Sequence, residues 1–127
     1  YDEKLAKELG ADDYGMKKYF FIILKTGENK STDKSLKDSC FRSHFQNMNK
    51  MVESNNLIVA GPLEKNDKSY RGIFIINANS KEELEKLLQG DLAIKEKFLE
   101  SEIYDWYGSA ALKEYLPFSE KIWKTKP

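Results

Sequence analysis

The clearest pattern of apolar and polar positions runs from Leu36 to Asn56. Leu36, Cys40, Phe41, Phe45, Met48, Met51 and Val52 fall at helical spacing, with Lys37, Asp38, Arg42, Ser43, Asn47 and Lys50 among the residues between them. That is one stripe of an amphipathic helix. Ser35 with Asp38 reads as a capping box that opens it, and Asn55-Asn56 closes it. His44, the only histidine in the chain, breaks the stripe near its middle. At about 100° per residue it falls between Cys40 and Met48, so the one side chain that titrates near neutrality points at the core or at a cavity in it.

The remaining patterns are shorter. Asp2 to Leu9 is a helix stopped by Gly10, followed by an acidic loop from Ala11 to Gly15. Lys18 to Lys25 alternates as a strand, with Tyr19, Phe21 and Ile23 on one face and Phe20, Ile22 and Leu24 on the other. Leu57 to Ala60 is a second strand, closed by Gly61-Pro62, and Glu64 to Ser69 is a charged hairpin loop. Tyr70 to Ala78 is a third strand, apolar on both faces. Ser80 with Glu83 caps a second helix through Leu84, Leu87 and Leu88, which Gly90 stops. Asp91 stands where it would cap a short helix from Leu92 to Phe98. Glu100 to Tyr107 is the last strand. The order βαββαβ predicts an α+β, ferredoxin-like domain with a four-stranded antiparallel sheet. Its core spans about 17–107, with an N-terminal extension over 1–15 and a C-terminal arm over 108–127. Both helices cover one face of such a sheet, yet strands one and three are apolar on both. A second copy of the sheet would cover the other face, giving a homodimer. The arm, with Phe118, Ile122 and Trp123, carries too much apolar surface for a free tail and is expected to dock on the domain or on a partner.

Composition narrows the function. The chain has 127 residues, with 21 Lys plus Arg against 21 Asp plus Glu. That balance argues against nucleic acid, which asks for a basic surface. No apolar run approaches the roughly 20 residues of a membrane helix, so no membrane insertion is expected. One cysteine, Cys40, permits no internal disulfide and no zinc cluster, and no metal or other cofactor is expected. The first residue is Tyr1, which fits a cytoplasmic protein or an exported one whose leader was removed. No phosphate loop or nucleophile elbow is present.

Several of these features occur together: the helical His44, Leu57-Ile58-Val59-Ala60-Gly61-Pro62-Leu63, Gly72 opening an apolar strand, Gly90-Asp91 after a capped helix, and Tyr104-Asp105-Trp106. From Lys18 to Tyr107 the chain resembles the YciI-like (YCII-related) domain family, many of whose members are bacterial. The resemblance implies a dimeric α+β barrel and a reactive His–Asp pair facing a pocket, here His44 and Asp91. Relatives of this kind include small-molecule lyases and dehydrochlorinases. Two positions depart from the common pattern, Phe41 in place of Arg and Leu92 in place of Pro.

A carboxylate on one imidazole nitrogen fixes the tautomer and frees the other nitrogen to take a proton from a carbon acid or hydroxyl. Such assistance is worth about 10²–10⁴ in rate. Tyr19, Phe21, Cys40, Phe41, Met48 and Trp106 are the expected pocket residues, and Asp67 is a second candidate partner for His44. Two classes remain open. One is a cofactor-free lyase, isomerase or dehydrochlorinase acting on an unknown small molecule. The other is a non-catalytic binding or structural dimer, in which His44 is an ordinary core residue and Asp91 an ordinary N-cap.

Overall fold

The computed structural model describes all residues from Tyr1 to Pro127. In chain order the elements are α1 (Glu3–Leu9), β1 (Met16–Thr26), α2 (Lys34–Glu53), β2 (Leu57–Pro62), β3 (Tyr70–Ile76), α3 (Lys81–Gln89), α4 (Leu92–Lys95), β4 (Leu99–Ser109), a 3₁₀ turn (Leu112–Tyr115) and α5 (Leu116–Lys121). The strands form one antiparallel sheet in the order β2-β3-β1-β4. This is the α+β, ferredoxin-like arrangement that the pattern predicts.

The two-sided apolar strands are the two central ones. β1 pairs with β3 on one side, Phe20 opposite Ile76 and Ile22 opposite Phe74. On its other side β4 pairs along the full length of β1, from Met16 opposite Ser109 to Thr26 opposite Leu99. That ladder is why both strands run longer than their apolar stretches suggest: backbone pairing continues past the last residue that must be buried. Ile22 and Leu24, Phe74 and Ile76, Cys40 and Met51, Leu84 and Leu88, Ala93, Phe98 and Leu99 form the core between the sheet and the helices. Each large side chain fully buried there contributes roughly 1.5–3 kcal/mol.

Several boundaries move. α2 is capped by Asp33, whose Oδ1 accepts from the Leu36 amide at 3.1 Å, and not by a Ser35–Asp38 box. α3 carries the first half of its box, Ser80 Oγ accepting from Glu83 N, while Glu83 Oε2 reaches one residue further back and accepts from Asn79 N. Gly61 and Pro62 belong to β2, opposite Ile73 and Gly72; β2 is an edge strand, where a proline's missing N–H costs nothing. α4 is a single turn, because Lys97 takes φ 62° and starts the reversal into β4.

The buried face of α2 is narrower than its apolar stripe. It consists of Cys40, His44, Asn47 and Met51, while Phe45 is 61% exposed and Leu36 and Val52 also face solvent. The arm docks only in part. Tyr115 donates its hydroxyl to the Ile58 carbonyl, but Phe118 and Ile122 stay 68% and 82% exposed, so within one chain they are not packed away. No helix is long and apolar enough to cross a membrane.

Candidate functional site

α2 brings His44 against the turn that joins α3 to α4. α3 ends at Gly90, and Asn47 lies directly over that position: a Cβ there would stand 2.4 Å from Asn47 Oδ1, so only glycine fits without a shift. The next residue, Asp91, is the N-cap of α4. Its Oδ1 accepts from the Ala93 and Ile94 amides at 2.9 and 3.3 Å. Its other oxygen turns inward, and His44 Nδ1 lies 2.5 Å from Asp91 Oδ2. One carboxylate therefore caps a helix and holds the histidine. His44 is 7% exposed and Asp91 1%.

Two side chains that the apolar pattern gave no reason to single out complete the clamp. Ser43 Oγ donates to the Gly90 carbonyl and accepts from the Leu92 amide, both at 3.2 Å. Asn47 Nδ2 donates to the Leu87 carbonyl at 2.9 Å, satisfying the end of α3. Asn47 could have been found, since three residues after His44 is the same helical face. Ser43 offers no such signal, because its partners come from a turn 47 and 49 residues away.

The imidazole lies in an aromatic surround. It stacks on Phe74 at 6.0 Å and 21°, and meets the edges of Phe45 at 5.3 Å and Phe41 at 6.2 Å. A carboxylate can only accept, so Nδ1 carries the hydrogen and donates it to Asp91. Nε2 of the neutral ring then carries the lone pair. Nε2 makes no hydrogen bond within the protein, yet no fully buried side-chain nitrogen or oxygen lacks a partner. Nε2 therefore touches solvent.

The expected pocket residues divide between the two faces of the sheet. Phe41, Cys40 and Met48 share α2 with His44 and pack on the helical side. Cys40 is a buried small apolar group; burial, then Glu96 and Asp91, push its thiol pKa up. Tyr19, Phe21 and Trp106 face away. They alternate with Ile22 and Leu24 of the core, and the structure does not bring them to His44. Tyr19 instead packs on Trp106 at 5.6 Å and donates to the Ser109 carbonyl. Strand parity is the reason: direct neighbours such as Phe21 and Tyr104 share the face opposite Phe74. Asp67 is exposed in the β2–β3 hairpin, with no side-chain partner. Two clefts border these elements. One, of ≈ 270 Å³, includes Phe41, Phe98 and Arg71; the other, of ≈ 590 Å³, includes Leu88, Ile94 and Ile103. His44 lines neither of these two clefts; its ring is packed among Phe41, Phe45 and Phe74. No three His, Cys, Asp or Glu side chains converge as metal ligands would.

No protein-family model matches the chain, and no curated protein does. Among solved structures it is similar to 5-chloro-2-hydroxyhydroquinone dehydrochlorinase (TftG) from Burkholderia phenoliruptrix, in complex with 2,5-dihydroxybenzoquinone. The identity is 21% and the TM-score 0.45, covering 68% of this chain and 92% of that one.

Proposed function

We propose that the chain is a small-molecule enzyme of the lyase, isomerase or dehydrochlorinase type, with His44 as general base and Asp91 as its anchor. The observation that carries this reading is the pairing of His44 Nδ1 with Asp91 at 2.5 Å while Nε2 has no partner in the protein and is not fully sealed. In an elimination, Nε2 takes the proton from a carbon next to a carbonyl. The electron pair of that C–H bond forms a double bond as the leaving group departs with its own pair. The imidazolium that results is held by the Asp91 carboxylate and returns its proton to water or to the leaving group. In an isomerisation the same proton is delivered back to a neighbouring carbon. The resemblance of His44 and Asp91 to the YciI-like pair points the same way, and general-base help of this kind is worth about 10²–10⁴ in rate.

The functional unit in this reading is a homodimer. Phe21, Ile23, Val59, Ile73 and Ile75 lie half-buried on the sheet face that no helix covers, with Tyr104 and Trp106 exposed beside them.

The alternative, a non-catalytic dimer, is favoured by one observation: His44 lines neither cleft. A single experiment separates the two. Diethyl pyrocarbonate acylates an accessible imidazole nitrogen, and the chain has one histidine, so the absorbance change reports on His44 alone. Modification of the folded protein, at a rate clearly faster than global unfolding, is the expected result. If modification waits for unfolding, the ring is a sealed core residue and the catalytic reading fails.

A further inference from the structure

The smaller cleft lies one helical turn from His44 and shares Phe41 with it. Its floor is aromatic: Phe41 and Phe98 have ring centroids 6.3 Å apart, tilted at 45°. Around that floor stand Lys30, Lys37 and Arg71, and no lining residue is acidic. None of the three cations makes a salt bridge, since the ion pairs of the chain involve Lys25, Lys97 and His44. Two neighbouring acids are engaged elsewhere, Glu28 with Lys97 and Asp33 as the cap of α2, and Asp38, next to Lys37 in the chain, does not line the cleft. In a chain of zero net charge, three unpaired cations around one cleft are a local excess.

Arg71 reaches the cleft through an irregularity in the sheet. Leu24 lies opposite Gly72 and Lys25 opposite Tyr70, so Arg71 is an extra residue with no partner on β1. Strict alternation would place it on the face away from α2, with Ile73 and Ile75. A bulge re-aims a side chain in this way, and Arg71 lines the cleft beside Phe41. The opposite rim is held by backbone: Gly27 N bonds Phe98 O at 2.9 Å, Asn29 N bonds Lys97 O at 3.0 Å, and Asn29 Nδ2 bonds Glu96 O at 2.7 Å. The cleft therefore combines an aromatic floor with three exposed cationic side chains in its lining.

We infer that this cleft binds a small organic anion with a flat apolar body, its carboxylate held by Lys37 and Arg71 and its body on Phe41 and Phe98. This names a substrate class for the site proposed above and rests on that reading only for what happens next at His44. A guanidinium pairs a carboxylate with two parallel hydrogen bonds, and an ammonium adds a point charge.

The test uses benzoate as probe, with benzamide as its uncharged counterpart, titrated into the ¹⁵N-labelled full chain. Benzoate should shift the amide signals of Phe41, Phe98 and the segment from Thr26 to Ser31, and benzamide should not. R71Q and K37Q should each weaken benzoate binding by about tenfold. Both side chains are exposed and make no internal bonds, so the rest of the spectrum should be unchanged. H44A should keep benzoate binding, so a failure of the catalytic reading leaves this result standing. Equal binding of benzamide, undiminished benzoate binding by R71Q/K37Q, or no shift with benzoate would each overturn the inference.

Discussion

At the scale of single residues, Asp91 divides its two oxygens between helix and histidine, and substitutions can separate these roles. Asp91→Asn keeps the capping oxygen toward Ala93 and Ile94 and places an NH₂ against His44. That group donates, so Nδ1 must accept and the ring hydrogen moves to Nε2. The expected cost is about 1–2 kcal/mol, a charge-assisted hydrogen bond exchanged for a neutral one. Nitrogen chemical shifts of the ring should show the exchanged tautomer; an unchanged tautomer would mean that Asp91 does not set it. Asp91→Ala removes the cap, about 1 kcal/mol, and leaves a buried ring nitrogen unpaired, about 1–3 kcal/mol more. Asn47 and Gly90 form a second coupled pair. Gly90→Ala drives a methyl group into Asn47 Oδ1, and Asn47→Ala strips the Leu87 carbonyl of its donor. Each alone should destabilise by about 1–3 kcal/mol. The double variant should cost less than the sum, because removing Asn47 makes room for the new methyl. Strict additivity in denaturant melts would show that the two do not touch in solution.

Among the elements, the contact between the first loop and β4 makes a pH-dependent latch. Asp12 accepts from the Tyr107 hydroxyl through Oδ2 and from the Tyr14 and Met16 amides through Oδ1. The Tyr107 bond, then the Met16 amide, hold its carboxyl below the ordinary value of 3.8, while Tyr107 itself is raised by the same bond. A depressed carboxyl contributes stability that is present above pH 3.8 and lost as pH falls through the lower folded value. Tyr107→Phe removes the largest cause, so the Asp12 carboxyl carbon should titrate closer to the ordinary value in NMR. A midpoint that does not move would show that the loop is held by the backbone amides alone. Asp12 is fully exposed, so the latch fixes the path of the chain into β1 more than it stabilises the fold.

For the whole molecule, the decisive feature is the uncovered sheet face. Ile73 and Ile75 of β3 lie there beside Phe21 and Ile23, and the arm covers only the end of the sheet near Tyr19 and Ile58. The proposed homodimer buries this face. Ile75→Glu then puts an unpaired charge into the interface, at a cost of about 3–5 kcal/mol in association. In a single chain the same side chain stays half in water, so the fold should survive. Sedimentation should report twice the chain mass for the parent protein and a folded monomer for the variant. A parent protein that sediments as a monomer would remove the dimer from the proposal. Phe118 and Ile122, exposed on the arm, should lose exposure on association if the arm also reaches the second copy.

Periodicity, with its stops and caps, determined the βαββαβ order of the core and the inward direction of His44. These are local consequences of side-chain spacing, which a one-dimensional pattern carries in full. The αα turn was legible too: Gly90 and Asp91 announce a stop and a cap whatever surrounds them. The three-dimensional fold decided what the pattern left open. The strand order within the sheet and the helical turns of the arm came from it. It chose which of Asp91's oxygens caps and which meets His44, and it brought Ser43 and Asn47 to a turn more than 40 residues away. It set Tyr19, Phe21 and Trp106 on the far side of the sheet, because strand pairing fixes faces only once the partner is known. It turned Arg71 off its expected face, because a bulge is an offset between two strands and cannot be seen in either one. Such contacts depend on register and packing between distant segments, and those exist only once the chain has closed on itself.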